Sequence, residues 1–344
     1  MFIKFFIYTT LAICLIALFK PLPKNYNKQN KNSTNTPLLV FKDATMYTLN
    51  DKKVTQIIKA SKVNKYENKE EIIKGTLISR VEMKNNQDLT DIISANNILK
   101  IKDDLVFNKD VTYLRDNFIS FKTTKLNYNL KTKIAKNRTN FIGKYYNNQI
   151  QGKNLYINIK KEYIKIDQIK LKLKSKNYED ISYNINQTLE KNLNKTSYFT
   201  ITSKEFRSNM KEDISIFKNS VNLTQNNSTI KANKIKIYTK NINNTKYITK
   251  YIAQDNISFD IKTSNKHYIG SSQKIEYNTN TKIYTFLGKT NIEELVENRK
   301  LTGNKIVIDT QNHKSKITGT KSKPIRFTIT PNSEKSNKIK EDKK

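Results

Sequence analysis

The sequence predicts an all-β protein in which a long series of strands follows one N-terminal membrane anchor. From Pro37 onwards apolar and polar residues alternate, as in Leu155-Tyr156-Ile157-Asn158-Ile159. β-Branched and aromatic residues fill many of the apolar positions, which is typical of half-buried strands. Few segments after the anchor show the period of an amphipathic helix, so helices are expected to contribute little to the fold.

The anchor is predicted over residues 1–20. Phe5 to Phe19 is uncharged and mostly apolar and lies between Lys4 and Lys20. About 20 apolar residues cross a bilayer core, and Met1 to Ile3 can lengthen the segment while Lys4 reaches the interface. A cleaved signal peptide is the alternative, but no small-x-small cleavage site follows Phe19. We expect a retained single-pass helix with the bulk of the chain outside the cytoplasm.

The composition leaves two interpretations of the charge open. Lysine and arginine number 64 against 30 acidic residues, which gives a formal net charge of +34. A polyanionic partner would explain such a balance, and so would biased codon usage with solvated, lysine-rich strand faces. The lysines are spread along the whole chain, which favours the solvated faces. The single cysteine, Cys14, excludes an internal disulfide, and Ile13 does not fit a lipoprotein cleavage site.

Two short units recur along the chain and predict a stack of β-hairpins around one core. The first is a polar residue, then Lys or Asn, then an aliphatic residue that opens a strand, as at Asn233-Lys234-Ile235 and Asn304-Lys305-Ile306. The second occurs at Lys109-Asp110-Val111, Asn219-Ser220-Val221 and Asp255-Asn256-Ile257. The pattern breaks at 176–195, so we predict a linker there between β modules at 37–175 and 196–330. Polar composition predicts a stalk at 21–36, and the charged segment 331–344 is expected to be a disordered tail.

No residue pattern predicts catalysis, a metal site or a cofactor. His267 and His313, the only histidines, have no cysteine, carboxylate or nucleophile beside them in sequence. The acidic pairs Asp103-Asp104, Glu70-Glu71 and Glu293-Glu294 would point to opposite faces of a strand. The seven glycines form no phosphate-binding loop. Nucleic-acid binding also lacks a compact basic patch or a known motif. We therefore expect a protein that is not an enzyme.

The inward-facing side chains are the remaining candidate site. An alternating face packs as a core, or forms an apolar groove where two sheets part, and the residues alone leave both open. A register slip of one residue would turn each set outwards. The candidate inner-face residues are Leu99, Ile101, Val111, Tyr113, Ile119, Phe121, Leu126 and Tyr128 in the first module, and Val221, Leu223, Ile235, Ile237, Ile257, Phe259, Ile275, Tyr277, Tyr284 and Phe286 in the second.

A family resemblance rests on the order of several weak motifs. After the anchor and stalk come Phe41-Lys42-Asp43-Ala44-Thr45-Met46-Tyr47, Ile93-Ser94-Ala95-Asn96-Asn97, Lys109-Asp110-Val111-Thr112-Tyr113, Leu126-Asn127-Tyr128-Asn129 and Ile150-Gln151-Gly152-Lys153-Asn154-Leu155. In this order, residues 1–175 resemble LptC, the bitopic inner-membrane component of the lipopolysaccharide transport bridge.

The second half is similar to LptA of the OstA-like family. Its matching pieces include Ile230-Lys231-Ala232-Asn233-Lys234-Ile235, Tyr284-Thr285-Phe286-Leu287-Gly288 and Leu301-Thr302-Gly303-Asn304-Lys305-Ile306. The glycine that usually precedes the second unit is replaced by Lys218 and Gln254. We therefore expect the turns at these two positions to form in a different way.

The resemblance implies two tandem β-jellyrolls that hold the acyl chains of lipopolysaccharide between their inner faces. It implies a periplasmic location beyond the inner-membrane anchor. The implied partners are lipopolysaccharide, subunits of an inner-membrane ABC transporter that resemble LptB, LptF and LptG, and LptA- or LptD-like jellyrolls that pair through edge strands. An anchored β-repeat surface protein and an extracytoplasmic polyanion-binding protein are the alternatives.

Overall fold

A computed structural model describes residues 36–50, 53–82, 88–116, 118–175, 198–209, 212–243, 245–312, 314–319 and 326–329. The predicted anchor, the stalk up to residue 35, the linker and the tail lie outside these residues, as do Cys14 and His313. The described ranges contain no helical segment that could span a bilayer.

The described residues form an all-β structure of nineteen strands. The first region contains β1 (Leu39–Asn50), β2 (Lys53–Lys65), β3 (Glu70–Glu82), β4 (Asp88–Ile101), β5 (Asp104–Arg115), β6 (Ile119–Asn129), β7 (Ile134–Lys136), β8 (Asn140–Tyr145), β9 (Asn148–Asn158) and β10 (Tyr163–Ser175). The second region contains β11 (Tyr198–Asn209), β12 (Ile214–Gln225), β13 (Ser228–Ile242), β14 (Thr245–Lys262), β15 (His267–Asn278), β16 (Ile283–Glu294), β17 (Arg299–Asp309), β18 (Lys314–Thr318) and β19 (Arg326–Ile329).

These strands form one antiparallel meander in which each long strand pairs with the next. The short strands β7 and β8 together occupy one position between β6 and β9. Strand β10 pairs with β9 on one side and with β11 on the other. The sheet therefore continues without a break from the first region into the second.

A row of left-handed backbone positions bends the long strands at mid-length. Two consecutive residues have positive φ at Lys109-Asp110 in β5, at Asn219-Ser220 in β12 and at Asp255-Asn256 in β14. The pairing register shifts at each of these sites, which makes them β-bulges that bend their strands. The second repeated unit of the sequence thus marks a bend inside a strand, and Asn and Asp tolerate its positive φ better than most residues.

The bends fold the sheet into two stacked layers. Layer A contains residues 44–50, 56–60, 75–82, 88–94, 111–115, 119–123, 140–145, 148–153, 169–174, 198–203, 221–225, 228–232, 257–262, 267–272, 290–294, 299–303 and 326–329. Layer B contains residues 39–42, 62–65, 70–73, 97–101, 104–108, 125–129, 134–136, 156–158, 163–167, 205–209, 214–218, 234–242, 245–254, 274–278, 283–287, 305–309 and 314–318.

Side chains from the two layers meet in one hydrophobic core. The rings of Phe259 in layer A and Phe286 in layer B lie 4.9 Å apart, and those of Phe199 and Tyr251 lie 6.2 Å apart. The buried cluster extends from Ile58 in the first region to Ile308 in the second. Since apolar burial is the main favourable term in folding, this shared core holds both regions together.

Candidate functional site

Most of the predicted inner-face residues lie in the core between the layers. Val111, Tyr113, Ile119, Phe121, Leu126, Tyr128, Val221, Leu223, Ile235, Ile237, Ile257, Phe259, Ile275, Tyr277, Tyr284 and Phe286 are all buried. They form an apolar surface that continues through β10 and β11 from one region to the other. The structure therefore places these side chains on the inner face between the layers.

The predicted inward orientation of Leu99 and Ile101 is wrong. Ile98 is the buried residue of this segment, Leu99 is half-buried on the opposite face, and Ile101 is 46% exposed. The cause is the register shift between Ser94 and Asn97 in β4, which changes the alternation by one residue. A bend in mid-strand breaks the simple alternation on which this prediction depends.

The layers are joined by the bends along one side, and on the other side their hairpins face each other across a mouth. In the second region this mouth holds a cavity of about 800 Å³. Layer A lines it with the β12–β13 turn at 225–228 and with Ile261 to Ser264, and layer B lines it with Tyr277, Lys282, Tyr284 and Thr310. We call this cavity the slot mouth. It connects solvent with inner-face aromatic side chains.

Aromatic rings form the inner wall of the slot mouth. The Tyr277 and Tyr284 rings lie 4.2 Å apart, and the Tyr251 hydroxyl donates to the Tyr284 hydroxyl at 3.4 Å. Burial raises the pKa of Tyr277 to about 12 and raises that of Tyr251 and Tyr284 well above the usual value of 10.0. A phenol is uncharged at neutral pH, and the burial of these three rings makes the wall suitable for an apolar ligand.

A buried polar cluster closes the corresponding side of the first region. Arg115 Nε donates to Asp91 Oδ1 at 2.7 Å, and Tyr113 donates to the same oxygen at 2.9 Å. Tyr128, in layer B, donates to Asp91 Oδ2 at 3.1 Å, so its bond crosses between the layers. Lys133 donates to Ser79 at 2.8 Å, and burial lowers its pKa. We call these six residues the polar latch, and no sequence pattern pointed to it.

A second set of contacts closes the junction between the two regions. Lys246, at the start of β14, is 2% exposed. Its Nζ lies 3.2 Å from Asp213 Oδ1 and 4.5 Å from the centre of the Tyr146 ring. Asn148 donates to the Lys246 carbonyl and accepts from the Lys174 amide, each at 3.0 Å. The end of β10 also pairs in parallel with β14, so the two layers are bonded directly at this point.

The two ends of the sheet differ from its interior. Among the described strands, β1 pairs only with β2. Its apolar residues Leu39, Phe41 and Leu49 are 52%, 46% and 65% exposed. A cavity of about 570 Å³ lies beside Phe41 and Met46. At the other end, β17 carries the short strands β18 and β19. An edge strand with exposed apolar side chains can pair with another chain.

The charged residues considered from sequence have local roles where the structure describes them. His267 Nε2 lies 2.8 Å from Asp260 Oδ1 across the β14–β15 hairpin. Glu70 pairs with Lys100, Glu71 with Lys69, and Glu293 with Lys300. Over the described ranges, no group of three or more His, Cys, Asp or Glu residues is placed to hold a metal ion.

Comparisons with known proteins divide the chain as the resemblance did. Residues 5–169 match the family model for LptC-related lipopolysaccharide-assembly proteins. Residues 200–314 match the family model for the LptA/LptD N-terminal domain of lipopolysaccharide transport proteins. No curated protein sequence matches the chain.

Among solved structures, the chain is similar to LptH of Pseudomonas aeruginosa, described as the LptA-homologous periplasmic component of the lipopolysaccharide transport device. The identity is 13%, the match covers 39% of this chain and 95% of that one, and the TM-score is 0.34. The two family matches assign the regions: the chain joins an LptC-related region to an LptA-like region, both from families of lipopolysaccharide transport.

Proposed function

We propose that the chain is a non-enzymatic conduit of the lipopolysaccharide export bridge. It receives lipopolysaccharide from an inner-membrane ABC transporter and passes it across the periplasm with the acyl chains between layers A and B. The N-terminal segment holds the chain in the inner membrane, and the two regions lie in the periplasm. This role accounts for both family matches within one chain.

The observation that carries the proposal is the continuity of the apolar inner face. Strand β10 joins both regions in one sheet, and buried side chains line the interior on each side of it, from Phe121 to Leu171 to Phe199. An acyl chain moving along this face remains in contact with apolar side chains, at about 25 cal/mol for each Å² removed from water. The slot mouth gives a way in for the ligand and leaves its polar part in solvent.

Passage of a ligand requires the layers to part on the side of the mouth. The bends hold the opposite side together through the backbone, so the layers can hinge about them. In the first region the hydrogen bonds of the polar latch, such as Tyr128 to Asp91, must be broken. At the junction the Lys246 contacts must open in the same way. These contacts close the path between transfer events.

The two ends of the sheet supply the contacts with partners in this proposal. Strand β1 pairs with a jellyroll of the transporter, of the LptF or LptG kind, and LptB-like subunits supply the ATP-driven step. The C-terminal edge near β17 pairs with LptA- or LptD-like jellyrolls. Edge pairing of this kind extends one sheet into the next and keeps the inner faces in line.

Depletion of the protein tests this function. Lipopolysaccharide is expected to accumulate at the inner membrane, and the wild-type chain should restore its delivery. A variant with a charge on the inner face, Phe259→Glu, should fail to restore it, while the neighbouring outer-face change Asp260→Lys should succeed. The surface-protein and polyanion-binding alternatives both predict normal delivery during depletion, and that result would refute the conduit.

A further inference from the structure

The outer face of layer A carries a second elongated cavity, on the opposite side of the sheet from the buried core. Its volume is about 1110 Å³, and it extends over β4 to β12, across the junction between the regions. We call it the outer groove. Its exposed lining side chains alternate along each strand with buried residues, as Lys122 does with Phe121 and Lys144 does with Tyr145. The buried residues Tyr113, Phe121 and Ile150 also border the cavity, but their side chains are at most 3% exposed, so the accessible lining belongs to the outer face.

The strand register arranges the lining of the outer groove in two parallel rows. In the first row, successive strands place opposite each other Ile92, Leu114, Ser120, Lys144, Gln149, Lys172, Thr200 and Thr224. In the second, they place Thr112, Lys122, Ile142, Gln151 and Lys170. The rows run across the strands, so an occupant that follows them is extended along the sheet.

The charge in the outer groove has one sign. Its lining contains Lys122, Lys144, Lys170 and Lys172 and no acidic residue. Within the described part of the chain, the ammonium groups of Lys122, Lys144 and Lys170 have no ion-pair partner. Lys172 is positioned by the Tyr198 ring, whose centre lies 4.3 Å from its Nζ. Some other surface lysines are paired, as Lys100 is with Glu70.

The spacing of these lysines suits separate anionic groups. Lys122 and Lys144 are diagonal neighbours on adjacent strands, about 7–8 Å apart at the backbone. Lys122 and Lys170 are three strands apart, or about 14 Å at the usual strand spacing of 4.7–4.9 Å. Phosphates on neighbouring sugar units can meet both spacings, whereas one small anion can contact only one or two of these side chains.

The uncharged lining matches a saccharide. Ser, Thr and Gln side chains at Ser120, Gln149, Gln151 and Thr200 offer donors and acceptors for hydroxyl groups. Leu114 and Ile142 are 42% and 62% exposed and present apolar surface for the C–H faces of sugar rings. We propose that the outer groove binds a phosphorylated oligosaccharide through Lys122, Lys144 and Lys170. That this saccharide is the polar part of the transported amphiphile rests on the proposed function.

Calorimetry on the full chain in a non-ionic detergent tests the site. The probe is a deacylated, bis-phosphorylated lipopolysaccharide oligosaccharide, which has no acyl chain to enter the interior. The triple variant Lys122→Gln, Lys144→Gln, Lys170→Gln should weaken its binding about tenfold or more, because charge-assisted hydrogen bonds to phosphate are lost. The matched triple variant Lys231→Gln, Lys289→Gln, Lys305→Gln removes the same charge in the second region and should change binding less than about twofold.

Replacement of the same three groove lysines by arginine should retain binding, which separates a loss of charge from a loss of folding. Equal weakening by both glutamine triples would overturn the site, since only net charge would then act. Equal binding of the phosphatase-treated oligosaccharide would also overturn it. So would binding of phosphatidylglycerol vesicles through the groove lysines without binding of the saccharide. Because the probe lacks acyl chains, none of these results depends on whether the inner face carries lipid.

Discussion

The ammonium nitrogen of Lys246 lies 4.5 Å from the centre of the Tyr146 ring, so a buried cation of the LptA-like region rests on an aromatic side chain of the LptC-related region. Asp213 Oδ1 lies 3.2 Å from the same nitrogen, and the Asp213 side chain is 56% exposed. The Tyr145 hydroxyl and Ser208 Oγ form a hydrogen bond of 3.3 Å next to it. These contacts make the junction a packed interface in its own right.

A double-mutant cycle on Lys246→Met and Tyr146→Leu should give a coupling free energy of about 1–2 kcal/mol, because the cation–π contact is desolvated. Chemical unfolding of the four proteins measures it. The change Tyr146→Phe keeps the ring face and should preserve most of the coupling with Lys246. Effects that simply add, within about 0.5 kcal/mol, would contradict the contact.

The buried pair of Asp91 and Arg115 predicts a large loss of stability when one partner is removed. Both side chains are fully buried, and Arg115 Nη2 lies 2.6 Å from Asp91 Oδ1. Asp91→Ala should lower the free energy of unfolding by about 3–5 kcal/mol, because an uncompensated guanidinium remains in the core. Urea unfolding measures the loss.

The matched surface change for this pair is Asp103→Ala, in the exposed β4–β5 turn. It should change the free energy of unfolding by less than about 0.5 kcal/mol. The double change Asp91→Leu, Arg115→Met should recover much of the stability that Asp91→Ala loses, since no buried charge is then left. A double variant as unstable as Asp91→Ala would contradict this account of the cluster.

The bends predict that glycine stabilises the fold at a position where it is normally unfavourable in a strand. Lys109 is exposed and has a φ of 62°. Left-handed backbone costs an L-residue about 1–2 kcal/mol, and the greater entropy that glycine loses on folding offsets about 0.5–1 kcal/mol of that. Lys109→Gly should therefore raise the free energy of unfolding by about 0.5–1 kcal/mol.

Thr112→Gly, three residues further along β5, is the control for the bend. This position is exposed and outside the left-handed region, so glycine there should destabilise the protein by about 1 kcal/mol. Thermal unfolding of both variants gives the comparison. Destabilisation by Lys109→Gly of the same size as that by Thr112→Gly would show that the positive φ is not a source of strain.

The buried tyrosines predict a loss of stability at alkaline pH. Burial raises the pKa of Tyr277 to about 12, above the unfolded value of 10.0, and burial also raises the pKa of Tyr251 well above that value. A raised pKa in the folded state means that this stability is fully present below pH 10.0. It is lost as the pH rises through 12, because the unfolded chain releases the protons first.

Tyrosinate absorbance and circular dichroism followed over the same pH range check this expectation. The phenols of Tyr251, Tyr277 and Tyr284 should ionise only as the fold is lost. Tyr277→Phe should reduce the loss of stability at alkaline pH, because one buried ionisable group is gone. Tyr163→Phe, at a half-exposed position, should have little effect. If all tyrosines ionised near pH 10 while the fold persisted, the predicted link between burial and alkaline unfolding would be wrong.

Local alternation was enough to predict the all-β fold and most of the inner face. Phe121 and Phe259 were assigned correctly because alternation on each side of a bend is regular. Leu99 and Ile101 do not face inwards because β4 bends opposite the bulge of β5, where the alternation changes phase, and no glycine in β4 marks the bend. The pairing of Asp91 with Arg115 and of Lys246 with Tyr146 joins residues far apart in the chain, and no local pattern encodes such contacts.

The most direct test of the conduit is photo-crosslinking in cells at neighbouring inner- and outer-face positions. Photoreactive residues at Leu126 and Phe259, which are buried between the layers, should capture lipopolysaccharide through its acyl chains. Those at Asn127 and Asp260, the next residues on the outer face and outside the outer groove, should not. Capture at Leu126 and Phe259 alone is the result the account predicts. Equal capture at all four positions, or capture at Asn127 and Asp260 only, would contradict it.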